Sequence, residues 1–363
     1  MPSSTSTSRP LKWFGWVLFG SLAALVVLEM IMRILPVSTS TATGYYVDPL
    51  ILSYPKYHEF TAATGWTLAN AHVHRANNYG FVAGVDFARD PRSIGLVGDS
   101  YIEASMLPAE ERLGTQLQQL TTPRRVFELG APGTSALDYV ERVRFAAETF
   151  GTLDFVLFME KGDLKQMLCG SGNNAAPCLD AETLQERVVR QEPPSALKLI
   201  LRKSALGQYL FSQLKLNPSA WLAGLLTTVT GAPARPSKSF DLAGPEGRQQ
   251  RARMAQLFVG KLTSLPVRSI VLVLGPEWDA VWRQALLDAT HGTSLKVLDA
   301  TPPLQQFSVA THRSIYVSPQ DKHLNGRALH VVAELVAPAL EAQRATDGAA
   351  NSGRFWPRFT PEV

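Results

Sequence analysis

The pattern of apolar and polar positions divides the chain into stretches of different character. Residues 13–28 (WFGWVLFGSLAALVVL) carry no charge, and the apolar run continues past Glu29 and Arg33 to Leu35 before Pro36 stops it. As a helix, residues 13–35 reach about 35 Å at roughly 1.5 Å per residue, enough to cross a bilayer. Trp13 and Trp16 suit a membrane interface, and Glu29 and Arg33, four apart, can pair on one helix face. Three readings fit this run: a retained signal anchor, a cleaved signal peptide and a buried core helix. The first is preferred, because the run is long for a signal peptide and no Ala-x-Ala site follows it. Arg9 and Lys12 then hold the N-terminus in the cytoplasm, and the rest of the chain lies periplasmic or extracellular.

A second pattern begins at residue 92. Short apolar runs at residues 93–97 (SIGLV), 126–129, 155–159 (FVLFM), 269–274 (SIVLVL) and 295–299 (LKVLD) read as buried strands. Helical stretches at 110–120, 136–150, 278–290 and about 325–343 alternate with them, the second capped by Thr134 or Ser135. This alternation predicts an α/β fold, a central parallel sheet with helices on both faces. In such sheets the working residues sit on loops after the C-terminal strand ends.

The organisation expected is a cytoplasmic tail (1–12), a transmembrane signal anchor (13–35), a spacer and lead-in (36–90), an α/β domain (91–343) and a loose C-terminal tail (344–363). A helical insertion at about 165–245 interrupts the domain. It contains a helix-like stretch at 196–215, an apolar run at 221–229 too short for a second span, and a Pro/Gly-rich piece at 231–245.

Composition narrows the function classes. With 45% hydrophobic and 18% charged residues the chain can build a proper core, which argues against disorder and against a multi-span membrane protein. A net charge of +4 is too thin an excess to point to nucleic acid. Two cysteines exclude a disulfide-rich scaffold and a four-cysteine zinc site. His72 and His74 alternate on a short segment, but no third ligand lies nearby, so a solvated loop is preferred and no metal or cofactor is expected.

Three segments carry candidate chemistry. Gly98-Asp99-Ser100 follows a strand. Asp321-Lys322-His323 precedes the last helix, and a carboxylate two residues before a histidine can hold one ring nitrogen and leave the other free as a base. Phe127-Glu128-Leu129-Gly130 ends a strand on a glycine, where backbones can approach closely. In this order and spacing they resemble the SGNH/GDSL hydrolase family over roughly residues 77–165 and 266–343. The resemblance implies a flavodoxin-like three-layer sandwich and an esterase mechanism. Ser100 would be the nucleophile, His323 the base and Asp321 its partner, with Ser100, Gly130 and Gly162 at the oxyanion-hole positions. The family's third block normally has an asparagine beside an aspartate. Here the loop reads Lys161-Gly162-Asp163-Leu164, so Gly162 offers no side-chain donor, and Lys161, Asn173 and Asn174 are the candidate substitutes.

Asn77-Asn78-Tyr79-Gly80-Phe81 and an anchor ending in Glu-x-x-x-Arg resemble the anchored, exported branch of that family. Its implied substrate is an ester, above all O-acetyl groups of a surface or exported polysaccharide. Hydrolysis, acyl transfer and a non-enzymatic envelope role binding glycan or a partner are the alternatives. The partners expected are an acylated carbohydrate or other ester and the membrane, with no nucleic acid. Cys169 and Cys178, nine apart, are expected to form a disulfide beside the site if the domain is exported. Asp99 reads as a structural partner of the nucleophile loop, and Glu103 and Glu128 as cleft residues without assigned roles. Trp66, Trp221, Trp278 and Trp282 offer either sugar-stacking faces or, as is more usual for tryptophan, core packing.

Overall fold

A computed structural model describes residues 8–171, 177–190, 193–214, 216, 244–319 and 321–350. The apolar run at 221–229, most of the Pro/Gly-rich piece, Asn173 and Asn174 lie outside the described residues. The helices used below are α1 (Ser8–Ile34), α2 (Ser100–Glu103), α3 (Leu113–Leu120), α4 (Ala136–Phe150) and α5 (Ala196–Leu201). They continue with α6 (Pro245–Thr263), α7 (Ala280–Thr290), α8 (Thr301–Thr311) and α9 (Gly326–Ala350). The described residues fall into two units. One takes those of Met1–Thr41, Glu59–His74 and Glu192–Pro236; the other takes those of Ala42–His58, Arg75–Gln191 and Ser237–Val363.

The larger unit is built on five parallel strands, β1 (Ile94–Gly98), β2 (Val126–Gly130), β3 (Asp154–Met159), β4 (Ser269–Leu274) and β5 (Lys296–Asp299). Their order across the sheet is β2-β1-β3-β4-β5, the flavodoxin-like order. All residues of β1 to β4 are buried, as expected of strands covered on both faces. Alternate residues supply two cores. Val97, Phe127, Leu157 and Leu272 pack with α4, α6 and α7 through Tyr139, Phe258 and Leu286. Leu96, Val126, Phe158 and Val273 pack with α3, α8 and α9 through Leu117, Leu304 and Val332. The three-layer sandwich is thus written in the period-two alternation of the strands.

Several boundaries differ from the sequence pattern. Helix α8, for which the sequence pattern predicts no element, begins Thr301-Pro302-Pro303; proline is tolerated in a first turn because its missing N–H is not needed there. Helix α6 has only a weak apolar stripe and was not legible as an element. Helix α9 runs on to Ala350, past the expected end at residue 343, so the tail does not begin at 344. The lead-in 36–90 is not one piece, because residues 59–74 form a hairpin in the smaller unit. The insertion is also divided, its residues up to 191 lying in the larger unit.

In the smaller unit, α1 is long and apolar enough to cross a membrane, and none of its apolar window is buried. A buried core helix is therefore not what this segment forms. Arg33 Nε and Glu29 Oε1 pair at 2.8 Å, as their spacing predicts. The chain leaving α1 joins the hairpin Glu59–Thr64/Ala69–Arg75 through Thr39 N–H to the Thr61 carbonyl (2.9 Å) and Ser38 Oγ to the Ala63 carbonyl (3.1 Å). The helix-like stretch 196–215 is not one helix. It breaks at Arg202–Ser204 between α5 and the turns Ala205–Gly207 and Gln208–Gln213.

Candidate active site

Strand β1, between β2 and β3, delivers the chain to Gly98. Asp99 then turns it, its carboxylate accepting the Tyr101 N–H at 2.9 Å, and α2 begins at Ser100. Ala104 closes this single turn in the left-handed region, φ 45°, with its N–H on the Ser100 carbonyl at 2.9 Å. Ser100 is thereby held half-buried at the C-terminal sheet edge. On the neighbouring strand Gly130 pairs with Gly98, and a Cβ at 130 would stand 2.4 Å from the Glu103 nitrogen. Only glycine lets β2 and the Ser100 turn pack this closely.

His323 comes from the loop between α8 and α9. Asn325 fixes that loop, donating from Nδ2 to the carbonyls of Ser314 (2.7 Å) and Tyr316 (3.1 Å), while its Oδ1 accepts the Ala328 N–H (3.0 Å). His323 Nδ1 lies 2.6 Å from Asp321 Oδ1, and Nε2 lies 2.8 Å from Ser100 Oγ. With Nδ1 donating to the carboxylate, Nε2 is left to accept the serine proton. The Tyr101 ring packs on the imidazole at 4.6 Å between centroids, and its hydroxyl donates to the Lys322 carbonyl at 3.1 Å. The structure therefore brings Ser100 together with the Asp321–His323 pair, although Ser100 and His323 are 223 positions apart in sequence.

The electrostatics suit a base. Burial opposes a charged His323, but the hydrogen bond and charge of Asp321, then the charges of Asp99 and Glu160, outweigh it and raise its pKa. Burial likewise opposes the Asp321 carboxylate, and the hydrogen bonds from His323 overcome this and lower its pKa. Beneath the site lies a group of buried acids. Burial pushes Glu103 and Glu160 each up to about 7, and raises Asp99 and, strongly, Asp163. Glu103 accepts the Tyr54 hydroxyl at 2.5 Å, and Glu128 accepts the Gly84 N–H at 3.2 Å, so both are held structurally.

Arg142, on the buried face of α4, went unnoticed in the sequence. Its Nη1 donates to the carbonyls of Gly98 (2.8 Å) and Leu129 (3.2 Å) and to Thr134 Oγ1 (3.2 Å), tying together the ends of β1 and β2. The only signal was Asp138 four residues earlier on the same apolar face. Ser135 is the cap of α4, with its N–H on Asp138 Oδ2 at 2.7 Å.

The third strand end carries Gly162. Asp163 beside it accepts the Glu160 N–H through Oδ2 at 2.6 Å, and its carbonyl accepts the Ala136 N–H at 3.3 Å. Lys161 Nζ pairs with Glu277 Oε2 at 2.7 Å. No local sequence signal marks Gln166. Its Nε2 lies 2.9 Å from where a Cβ on Gly162 would be, so its carboxamide fills that space. Cys169 and Cys178 are joined in a disulfide that closes the following loop.

Beyond β4 and β5 a cleft of about 500 Å³ opens, lined among others by Glu277, Trp278, Arg283, Asp299 and Tyr316. The Tyr316 hydroxyl donates to Glu277 Oε1 at 2.5 Å, and Lys322 Nζ stands 4.8 Å from the Tyr316 ring centroid. Trp278 lines this cleft, Trp282 is buried in the core and Trp66 is exposed. His72 and His74 face each other at 6.2 Å between ring centroids, and His74 also packs on Phe60.

No protein-family model matches the chain, and no curated protein matches it. Among solved structures, a member of the lipolytic protein G-D-S-L family from Veillonella parvula is similar at 10% identity and a TM-score of 0.36, covering 68% of this chain and 96% of that one. An alpha/beta hydrolase enzyme from the metagenome of Lake Arreo, Spain, is similar at 12% identity and a TM-score of 0.36, covering 71% of this chain and 98% of that one. A gut microbial diltiazem-metabolizing enzyme is similar at 13% identity and a TM-score of 0.35, covering 71% of this chain and 49% of that one.

Proposed function

We propose that the protein is a membrane-anchored, exported serine esterase of the SGNH/GDSL type. The observation that carries this reading is the unbroken chain of hydrogen bonds from Asp321 through His323 to Ser100 Oγ. Ser100 Oγ attacks an ester carbonyl while its proton passes to His323 Nε2. The resulting imidazolium is stabilised by Asp321, and it returns the proton to the departing alkoxide. The acyl-enzyme is then resolved by water, or by a sugar hydroxyl in acyl transfer, which gives its proton to His323 as it attacks; the acyl–Oγ bond breaks and His323 returns that proton to Ser100 Oγ.

The developing oxyanion needs fixed donors. The backbone N–H groups of Ser100 and Gly130 are the assigned pair, and the Gln166 carboxamide supplies the side-chain donor that Gly162 lacks. The substrate proposed is an O-acetylated surface or exported polysaccharide. The adjoining cleft supports this, because its aromatic rings and ion-paired side chains suit a polar, ring-shaped ligand. Export is supported by the apolar span Trp13–Ile34 of α1 with Arg9 and Lys12 before that span, and by the disulfide.

The test is the full-length protein in detergent, assayed on p-nitrophenyl acetate beside Ser100→Ala, with fluorophosphonate labelling read by mass spectrometry. Loss of turnover in the variant and a single adduct on Ser100 are expected. Equal activity of the two proteins, or an unlabelled Ser100, would overturn the reading.

A further inference from the structure

The far end of α1 is bound to a second segment of the same unit. Glu29 lies five residues before the helix end, about 7.5 Å of helix at 1.5 Å per residue. In a bilayer spanned by α1 that position is the boundary between acyl chains and headgroups, where an unpartnered carboxylate is costly. It is fully partnered. Oε1 accepts from Arg33 Nε (2.8 Å) and the Ala205 N–H (3.0 Å), and Oε2 accepts from Ser204 Oγ (2.7 Å) and the Leu206 N–H (3.0 Å). Arg33 Nη2 adds a bond to the Lys203 carbonyl at 3.3 Å. Residues 203–206 are therefore fixed at the depth of the last turns of α1.

The short helix α5 comes immediately before them. Its Leu199 and Ile200 are 47% and 66% exposed, and Lys198 and Lys203 are exposed beside them. An apolar pair rimmed by cations, held where the spanning helix leaves the bilayer, fits one partner by both polarity and position. We propose that residues 198–203 lie on the surface of the leaflet that α1 exits. Leu199 and Ile200 enter the acyl boundary, and Lys198 and Lys203 meet anionic headgroups. The chain then holds the membrane at two places, one spanning and one lying flat.

This proposal rests on α1 spanning a bilayer, and the test separates the two. Both native cysteines are bonded to each other, so Ile200→Cys and Leu22→Cys each give a single free thiol for a nitroxide label. The full-length proteins are reconstituted in phosphatidylethanolamine–phosphatidylglycerol vesicles, and collisions with oxygen and with a water-soluble nickel chelate are compared. The expected result is an oxygen-to-nickel ratio at Ile200 several-fold above that of a water-exposed label, with a higher ratio still at Leu22. A lipid-buried Leu22 label with a water-exposed Ile200 label overturns the surface contact alone. Two water-exposed labels overturn the spanning reading and the surface contact with it.

Discussion

The carboxamide nitrogen of Gln166 stands 2.9 Å from the point a Cβ on Gly162 would occupy, so one side chain fills the place left by the absence of another. If this carboxamide donates to the oxyanion, Gln166→Ala and Gln166→Glu both remove the donor. Each is expected to lower kcat on p-nitrophenyl acetate by about 100-fold with little change in KM, the usual effect of losing one such donor. Unchanged turnover in both variants would exclude the role.

The raised pKa of His323 fixes the direction of the pH profile. A protonated imidazole cannot take the Ser100 proton, so kcat/KM should rise with pH through a midpoint above the ordinary histidine value of 6.5. Asp321→Asn removes the largest of the interactions that raise it, leaving Asp99, Glu160 and the burial that lowers it. The midpoint of the residual activity is then expected to fall below its position in the parent protein, as measured by kcat/KM between pH 5 and 9.

Arg142 holds the carbonyl ends of β1 and β2 from a fully buried position. Arg142→Ala leaves those acceptors and the nearby Asp138 without their cation. Removing one member of a buried charged network costs roughly 3 kcal/mol or more. A urea titration followed by circular dichroism should show a lower midpoint, corresponding to a stability loss of that order; a midpoint within error of the parent would contradict the structural role.

The Cys169–Cys178 disulfide closes a loop that spans nine positions. In the chain-entropy model a loop of this size is worth about 2–3 kcal/mol. The double variant Cys169→Ser/Cys178→Ser should therefore melt at a lower temperature than the oxidised parent, and a reducing agent should lower the melting temperature of the parent alone.

The sheet and the Ser100–His323–Asp321 constellation were legible because each rests on a local signal. The buried strands are short runs of apolar residues, and Asp-x-His before a helix needs no long-range information. Arg142 and Gln166 were not legible, since each acts on backbone or space brought close only by folding. Gly162 shows the difference well. The sequence reveals a missing side chain there, but only the packed loop reveals that Gln166 lies over it. The division of residues 36–90 between two units was hidden for a similar reason, because a hairpin's partners are decided by pairing and not by its own composition.

Ser100 and His323 are separated by 223 positions, and the base arrives on the later of the two segments. Under the proposed mechanism, a chain made from its N-terminal end presents Ser100 long before the imidazole that would deprotonate it exists. Until Asp321 and His323 have been synthesised and the loop before α9 has docked on β1, Ser100 is an ordinary alcohol, inert toward the esters around it. On that mechanism reactivity is deferred until the later segment has folded, and a product truncated before residue 321 is expected to be chemically silent.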